Sequence, residues 1–215
     1  FWIAVVSGRM EGRKAVVVGA GQPESDLLGN GRAIALTLAR EGAEICAVDL
    51  HPDRAEATAE IIRKAGGKAH VIIADVGNAD DCVRLVEESY AAMGRIDALV
   101  NNVAINHVDA DPLSLTVDSW ELMMDVNLRS QWITSKTVVP LMRKHGGGSI
   151  TNISTIGSKT GGGRMFAYSM SKSGVNKLTH FFAAAYAEDN IRCNAVLPAF
   201  VLTPHSVEGL TRHGW

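Results

Sequence analysis

Tyr168 and Lys172 are the side chains in this sequence whose types and spacing most directly do chemistry. Four positions apart on a helix, they project from the same face. A phenol with a pKa of about 10 is a poor base at neutral pH. A lysine ammonium beside it favours the phenolate, so the pair can take a proton from an alcohol or return one to a carbonyl. The same spacing occurs by chance on many surface helices. Here it follows the fifth strand-like run of the chain, and that position is what gives it weight.

A second group is rich in glycine. Gly19-Ala20-Gly21 follows a run of β-formers, and Gly29-Asn30-Gly31 opens a helix-like run. In that context glycines let the backbone turn sharply and approach a pyrophosphate held at a helix N-terminus. Asp49 ends the next strand-like run, eighteen residues past Gly31. A carboxylate there accepts hydrogen bonds from adenosine ribose hydroxyls and repels an additional phosphate, which points to NAD rather than NADP. The competing role for Asp49 is to cap the helix that Pro52 and Asp53 begin.

The elements that must position these groups alternate along the chain. Strand-like runs cover 15–18, 45–48, 71–74, 98–100, 149–153 and 192–197. Helix-like runs cover 32–40, 53–64, 80–93, 117–144 and 166–188. Pro140 lies inside the fourth helix and predicts a kink or an early end. The strands show no polar alternation, as expected when both faces of a parallel sheet are covered. Repeated strand–helix order predicts one doubly wound α/β domain of three αβα layers.

Composition narrows the function classes. At 47% hydrophobic and 20% charged, the 215 residues are sufficient for a full core. A net charge of −2 gives no reason to expect nucleic acid or an anionic membrane as partner. No run approaches the roughly 20 apolar residues of a spanning helix. Three cysteines without a close pair, Cys46, Cys82 and Cys193, fit a reducing, cytoplasmic setting rather than a disulfide framework or zinc site. His107, Asp109 and Asp111 form a weak metal-like cluster, for which a polar loop after a strand is the simpler reading.

Further markers fall in register: Asp75-Val76, Asn101-Asn102-Val103-Ala104, Asn127, Thr155, and Pro198-Ala199 followed by Val201 and Thr203. With them, from about Arg13 onward, the chain resembles the short-chain dehydrogenase/reductase family. The resemblance implies a Rossmann fold and NAD-dependent hydride transfer between a secondary alcohol and a ketone, the 3-oxoacyl type included. It implies Tyr168 as acid/base and Thr155 as the hydroxyl that holds the substrate oxygen, with Ser154 as fallback. Asn127 then supports a water relay to Lys172. Asp75 and Val76 contact the adenine, Asn102 lies near the cofactor, and Val201 and Thr203 meet the nicotinamide carboxamide. The resemblance also implies a homodimer or homotetramer built through the helices that carry Asn127 and Tyr168.

The chain departs from the family pattern in several places. Residues 22–28 are inserted in the glycine turn. Val18 stands where threonine is usual, Val103-Ala104 replaces Ala-Gly, Ala199 replaces the glycine after Pro198, and Thr155 replaces serine. The insertion is expected to bulge outward, because Glu24 and Asp26 would repel a diphosphate, while Gly19, Gly21, Gly29 and Gly31 keep the pyrophosphate. The family continues past Thr203 with a substrate-covering loop, a helix and a seventh strand. The sequence is therefore expected to be C-terminally truncated, and residues 1–9 to be a non-native or disordered extension. That leaves a rival reading, a truncated nucleotide-binding relic without turnover.

Overall fold

The computed structural model describes residues 8–160 and 165–207. Of the expected extension, residues 1–7 lie outside the described residues, and Arg9 pairs with Glu41 at 3.0 Å. Six strands, β1 (Lys14–Val18), β2 (Glu44–Asp49), β3 (Ala69–Ile73), β4 (Ala98–Asn101), β5 (Gly148–Ile153) and β6 (Ile191–Val196), form one sheet. Its order is β3-β2-β1-β4-β5-β6, and every neighbouring pair is parallel. The strand order reverses between β1 and β4, which opens a crevice at the carboxyl ends of the strands.

Both faces are covered by the helices α1 (Asn30–Arg40), α2 (Pro52–Lys64), α3 (Ala79–Met93), α4 (Val117–Met124), α5 (Ser130–Arg143) and α6 (Phe166–Ala185). Val16, Val18, Cys46 and Leu99 share one core with Leu85 and Val86 of α3, Val138 and Met142 of α5 and Phe182 of α6. Ala15, Val17, Ile45 and Ala47 share the other with Ala35 of α1 and Ile62 of α2. The alternate residues of β1 thus point into two different cores, which is why its sequence carries no polar positions.

Local chemistry sets the helix ends. Pro52 starts α2, where its missing N–H costs nothing. Asn78 caps α3 by accepting from the amides of Asp80 and Asp81, and Gly94 ends that helix in the left-handed region. Among the described residues no helix is long and apolar enough to cross a membrane.

Two expectations need correction. The third strand runs from Ala69 to Ile73, beginning earlier than the apolar run 71–74, because its pairing with β2 starts at Ile45 opposite Ala69. The expected single helix over 117–144 is divided. A π-helical turn, Asp125–Arg129, separates α4 from α5, and Pro140 sits within α5 without ending it. π-Helical turns of this kind concentrate at functional sites. This one holds Asn127.

Candidate active site

The side chains expected to do chemistry converge at the carboxyl end of the sheet. Lys172 lies on α6, one turn past Tyr168, and its Nζ is 6.0 Å from the centre of the Tyr168 ring. It is almost wholly buried, with 1% of its surface exposed, and Nζ donates to Ile153 O at 2.6 Å. Burial lowers its pKa to about 7. Burial also raises the pKa of Tyr168, against a hydrogen bond with Thr155 that pulls it down. The lysine was expected to favour the phenolate. Loss of solvation dominates both groups, so the Lys172 charge is itself conditional on pH near neutrality.

Thr155 and Ser154 part company after β5. The Ser154 hydroxyl is buried and donates to the Lys172 backbone oxygen at 3.2 Å. Thr155 accepts from the Gly157 amide at 3.2 Å, donates to Pro198 O at 3.5 Å, opens the 3-10 turn Ile156–Ser158, and is the one whose hydroxyl draws the Tyr168 pKa down. Asn127 is fully buried. Its Oδ1 accepts from Ile105 N at 2.8 Å, while Nδ2 donates to Ile105 O at 2.9 Å and to Ser171 Oγ at 3.2 Å. Both of its amide protons are therefore committed to the loop after β4 and to α6.

The glycine turn occupies the crevice between β1 and β4. A Cβ on Gly31 would lie 1.7 Å from Gly19 O, and one on Gly21 would lie 2.7 Å from the Asp49 carboxyl carbon. Only glycine permits this approach of α1 to the β1 turn. Gly29 occupies the N-cap of α1, Asn30 is its first residue, and the first turn has neither an acidic residue nor a side-chain cap. The amides of Asn30, Gly31 and Arg32 thus face no acidic competitor for an anion, while that of Gly29 is held by Gln22. Asp49 accepts from the amides of Gly21, at 2.9 Å, and His51, at 3.1 Å, so it braces the glycine turn instead of capping α2.

The inserted residues are tied off by a group that the sequence did not reveal. Gln22 is buried; its Oε1 accepts from Gly29 N at 2.6 Å and its Nε2 donates to Leu27 O at 3.0 Å. Glu24 and Asp26 are exposed. Arg32 donates to Thr58 Oγ1 at 2.9 Å, and Thr58 donates to Ala20 O at 2.9 Å, joining α1, α2 and the turn.

Asn102 donates to Gly19 O at 3.0 Å. Asp75 is exposed and accepts from Gly77 N at 2.8 Å, with Val76 buried beside it. Val201 is exposed, whereas Thr203 is buried and its N–H donates to Ser206 Oγ at 2.8 Å. The two carboxylates of the cluster at 107–111 are engaged by backbone amides. Asp111 accepts from the amides of Leu113 and Ser114, and Asp109 from those of Ala110, Ala167 and Tyr168. Among the described residues, no three His, Cys, Asp or Glu side chains come together to hold a metal.

Comparison with known proteins agrees with this geometry. The family described as short chain dehydrogenase matches residues 13–212. A 7alpha-hydroxysteroid dehydrogenase from Clostridium sardiniense is 38% identical over 205 residues, which is 94% of this chain and 76% of that protein. The structure of a 7alpha-hydroxysteroid dehydrogenase complexed with NADH and 7-oxo glycochenodeoxycholic acid superposes with a TM-score of 0.86 at 28% identity, covering 94% of this chain and 76% of that one. Carveol dehydrogenase from Mycobacterium avium in complex with NAD gives 0.83 at 30% identity, covering 89% and 72%. A match over nearly the whole length, on a sheet and glycine turn of this construction, makes the chain a member of the short-chain dehydrogenase family of oxidoreductases.

Proposed function

We propose that the protein transfers hydride between NAD(H) and a secondary alcohol or ketone, with Tyr168 as the acid/base. The observation that carries this reading is the buried Lys172 amine one helical turn from a phenol that also meets the Thr155 hydroxyl. NAD, when bound, supplies or accepts the hydride. Gly19, Gly21, Gly29, Asn30 and Gly31 would hold its pyrophosphate, and Asp49 its adenosine ribose. Asp75, Val76 and Asn102 would line the adenosine side of the crevice, Val201 and Thr203 the nicotinamide side.

The chain's own residues do the proton work. Thr155 holds the substrate oxygen beside the Tyr168 hydroxyl. Tyr168 removes the alcohol proton in oxidation and returns it in reduction. Lys172 contributes positive charge when protonated, which lowers the cost of the phenolate. Asn127 fixes Ile105 and Ser171, keeping the loop after β4 and α6 in register around the phenol.

The substrate is proposed as a secondary alcohol or ketone, and the names of the relatives supply the alcohols to try. The test is a panel of a 7α-hydroxysteroid, carveol and a 3-hydroxyacyl thioester with NAD and with NADP. NAD is expected to bind about tenfold more tightly than NADP, a gap of about 1.4 kcal/mol that Asp49→Ala narrows. Tyr168→Phe is expected to lose about 10²–10⁴-fold in turnover while its NADH affinity stays unchanged. Near-normal turnover by Tyr168→Phe removes the reading.

We further propose that two copies pair through α5 and α6. A groove of about 530 Å³ lined by Met124, Leu128, Trp132, Gly174 and Leu178 together with Asp125, Arg129 and Lys177 supports this.

A further inference from the structure

We propose that Asp109 is a positioning residue for Tyr168: it holds the first turn of α6 by two backbone amides and so ties the phenol to the loop after β4. This rests on the acid/base reading of Tyr168 given above.

α6 begins without a cap of its own. Met165, at its N-cap, makes no side-chain bond, and the first turn contains no acidic residue. The amides of an uncapped helix end need acceptors. Asp109 supplies them from 58 positions earlier in the chain. Its Oδ1 accepts from Ala167 N at 3.0 Å, and its Oδ2 accepts from the amide of Tyr168 itself at 2.9 Å. A third bond, from Ala110 N to Oδ1 at 2.9 Å, fixes the carboxylate to its own loop. A negative group at this end also opposes the positive end of the helix dipole.

The contact is specific to the reacting end of the helix. Lys172 anchors α6 to β5 through Ile153 O, and Ser171 anchors it to Asn127. Ser171 Oγ also donates to Tyr168 O at 2.7 Å within α6, but neither anchor holds the Tyr168 amide. Asp109 does, and it does so from a loop with other duties in the crevice. Asn102 at the start of that loop bonds Gly19 O, Ile105 is held by Asn127, and Asn106 faces His205 at 3.0 Å. A single carboxylate thus links the lie of the phenol to the segment that runs along the cofactor and substrate side. Small errors in the placement of a reacting group cost large factors in rate.

The experiment uses the full chain with NAD and the alcohols of the panel above. It compares wild type, Asp109→Ala, Asp109→Asn, Tyr168→Phe and the double variant Asp109→Ala/Tyr168→Phe. Asp109→Ala is expected to lower kcat about 10- to 100-fold with NADH affinity, by fluorescence titration, within about twofold of wild type. Asp109→Asn keeps one acceptor oxygen and presents an amide donor to the other N–H, so its kcat is expected to fall between the two. It also serves if the alanine variant fails to fold. In the Tyr168→Phe background, Asp109→Ala is expected to change the residual turnover by less than about twofold, because its effect passes through the phenol. Wild-type kcat in Asp109→Ala or Asp109→Asn, beside an inactive Tyr168→Phe, overturns this proposal alone. So does an equal loss with and without Tyr168, which would mark a general loosening of the fold. Full turnover in Tyr168→Phe, or no alcohol of the panel turned over by wild type, overturns the acid/base reading and this proposal together.

Discussion

At the scale of single residues, burial of Lys172 makes two measurable claims. The first concerns stability. Its pKa is near 7 in the folded protein and near 10.5 in the unfolded chain, so between those values the unfolded chain holds a proton that the folded one does not. Stability therefore rises with pH across that window, and the penalty is complete below it. It amounts to something on the order of 4 kcal/mol at neutral pH. Lys172→Met is expected to melt higher than wild type at pH 6–7, with the gap closing toward pH 10, in a scan of melting temperature against pH without cofactor. A pH-independent gap would contradict it. The second claim separates the neighbouring hydroxyls. Thr155→Ala is expected to lose about 10²-fold or more in kcat, because its hydroxyl meets Tyr168. Ser154→Ala is expected to lose less than about tenfold, since its hydroxyl bonds a helix carbonyl away from the phenol. Steady-state rates of the two variants with one alcohol decide it, and the reverse order would move the role to Ser154.

At the scale of elements, the junction of β1 and α1 is the tightest part of the crevice. Gly31→Ala is expected to weaken NADH binding at least about tenfold and to lower the melting temperature by several degrees, because its Cβ would overlap the Gly19 carbonyl. Titration of NADH fluorescence and a melting curve measure both effects. This junction was legible in the sequence, since glycine types and spacing report directly on close backbone approach. So were Asp49 at a strand end and the Tyr168–Lys172 spacing. Three features were not. The π-helical turn that turns Asn127 inward leaves no mark in the apolar pattern of 117–144, where α4 and α5 run on as one periodicity. The Gln22 clamp depends on a side chain folding back across its own loop. The Asp109 cap joins residues 58 positions apart, and no local rule pairs them. Each is a tertiary hydrogen bond or a local change of helix winding, and neither is written in periodicity or propensity.

At the scale of the whole molecule, the face formed by α5 and α6 carries apolar side chains that the described residues leave exposed. Trp132 is 45% exposed, Phe181 65% and Met170 48%. Apolar groups gathered on one face mark association surfaces. Trp132→Lys is expected to shift the protein from dimer or tetramer toward monomer, as read by light scattering behind size-exclusion chromatography. Because Tyr168 sits on α6 and Asn127 on the π-helical turn that leads into α5, kcat is expected to fall with dissociation. A wild-type chain that is monomeric at micromolar concentration would contradict the assignment.

The strand order β3-β2-β1-β4-β5-β6 also sets a timetable for synthesis. β1 is made before the other five strands described, and β2 and β3 can join it on one side while translation continues. Its other side pairs with β4, Val18 opposite Asn101 across more than eighty residues of intervening chain. Until that stretch is made, β1, one of the two central strands of the six described, is an open edge carrying Ala15, Val16 and Val17, each fully buried in the end state. Non-local parallel pairing is slow to form, and exposed edges of this kind invite aggregation. The nascent chain is therefore most vulnerable while α2 and α3 are being made, and ribosome-bound chains halted before β4 are expected to recruit chaperones that chains halted after β5 no longer need.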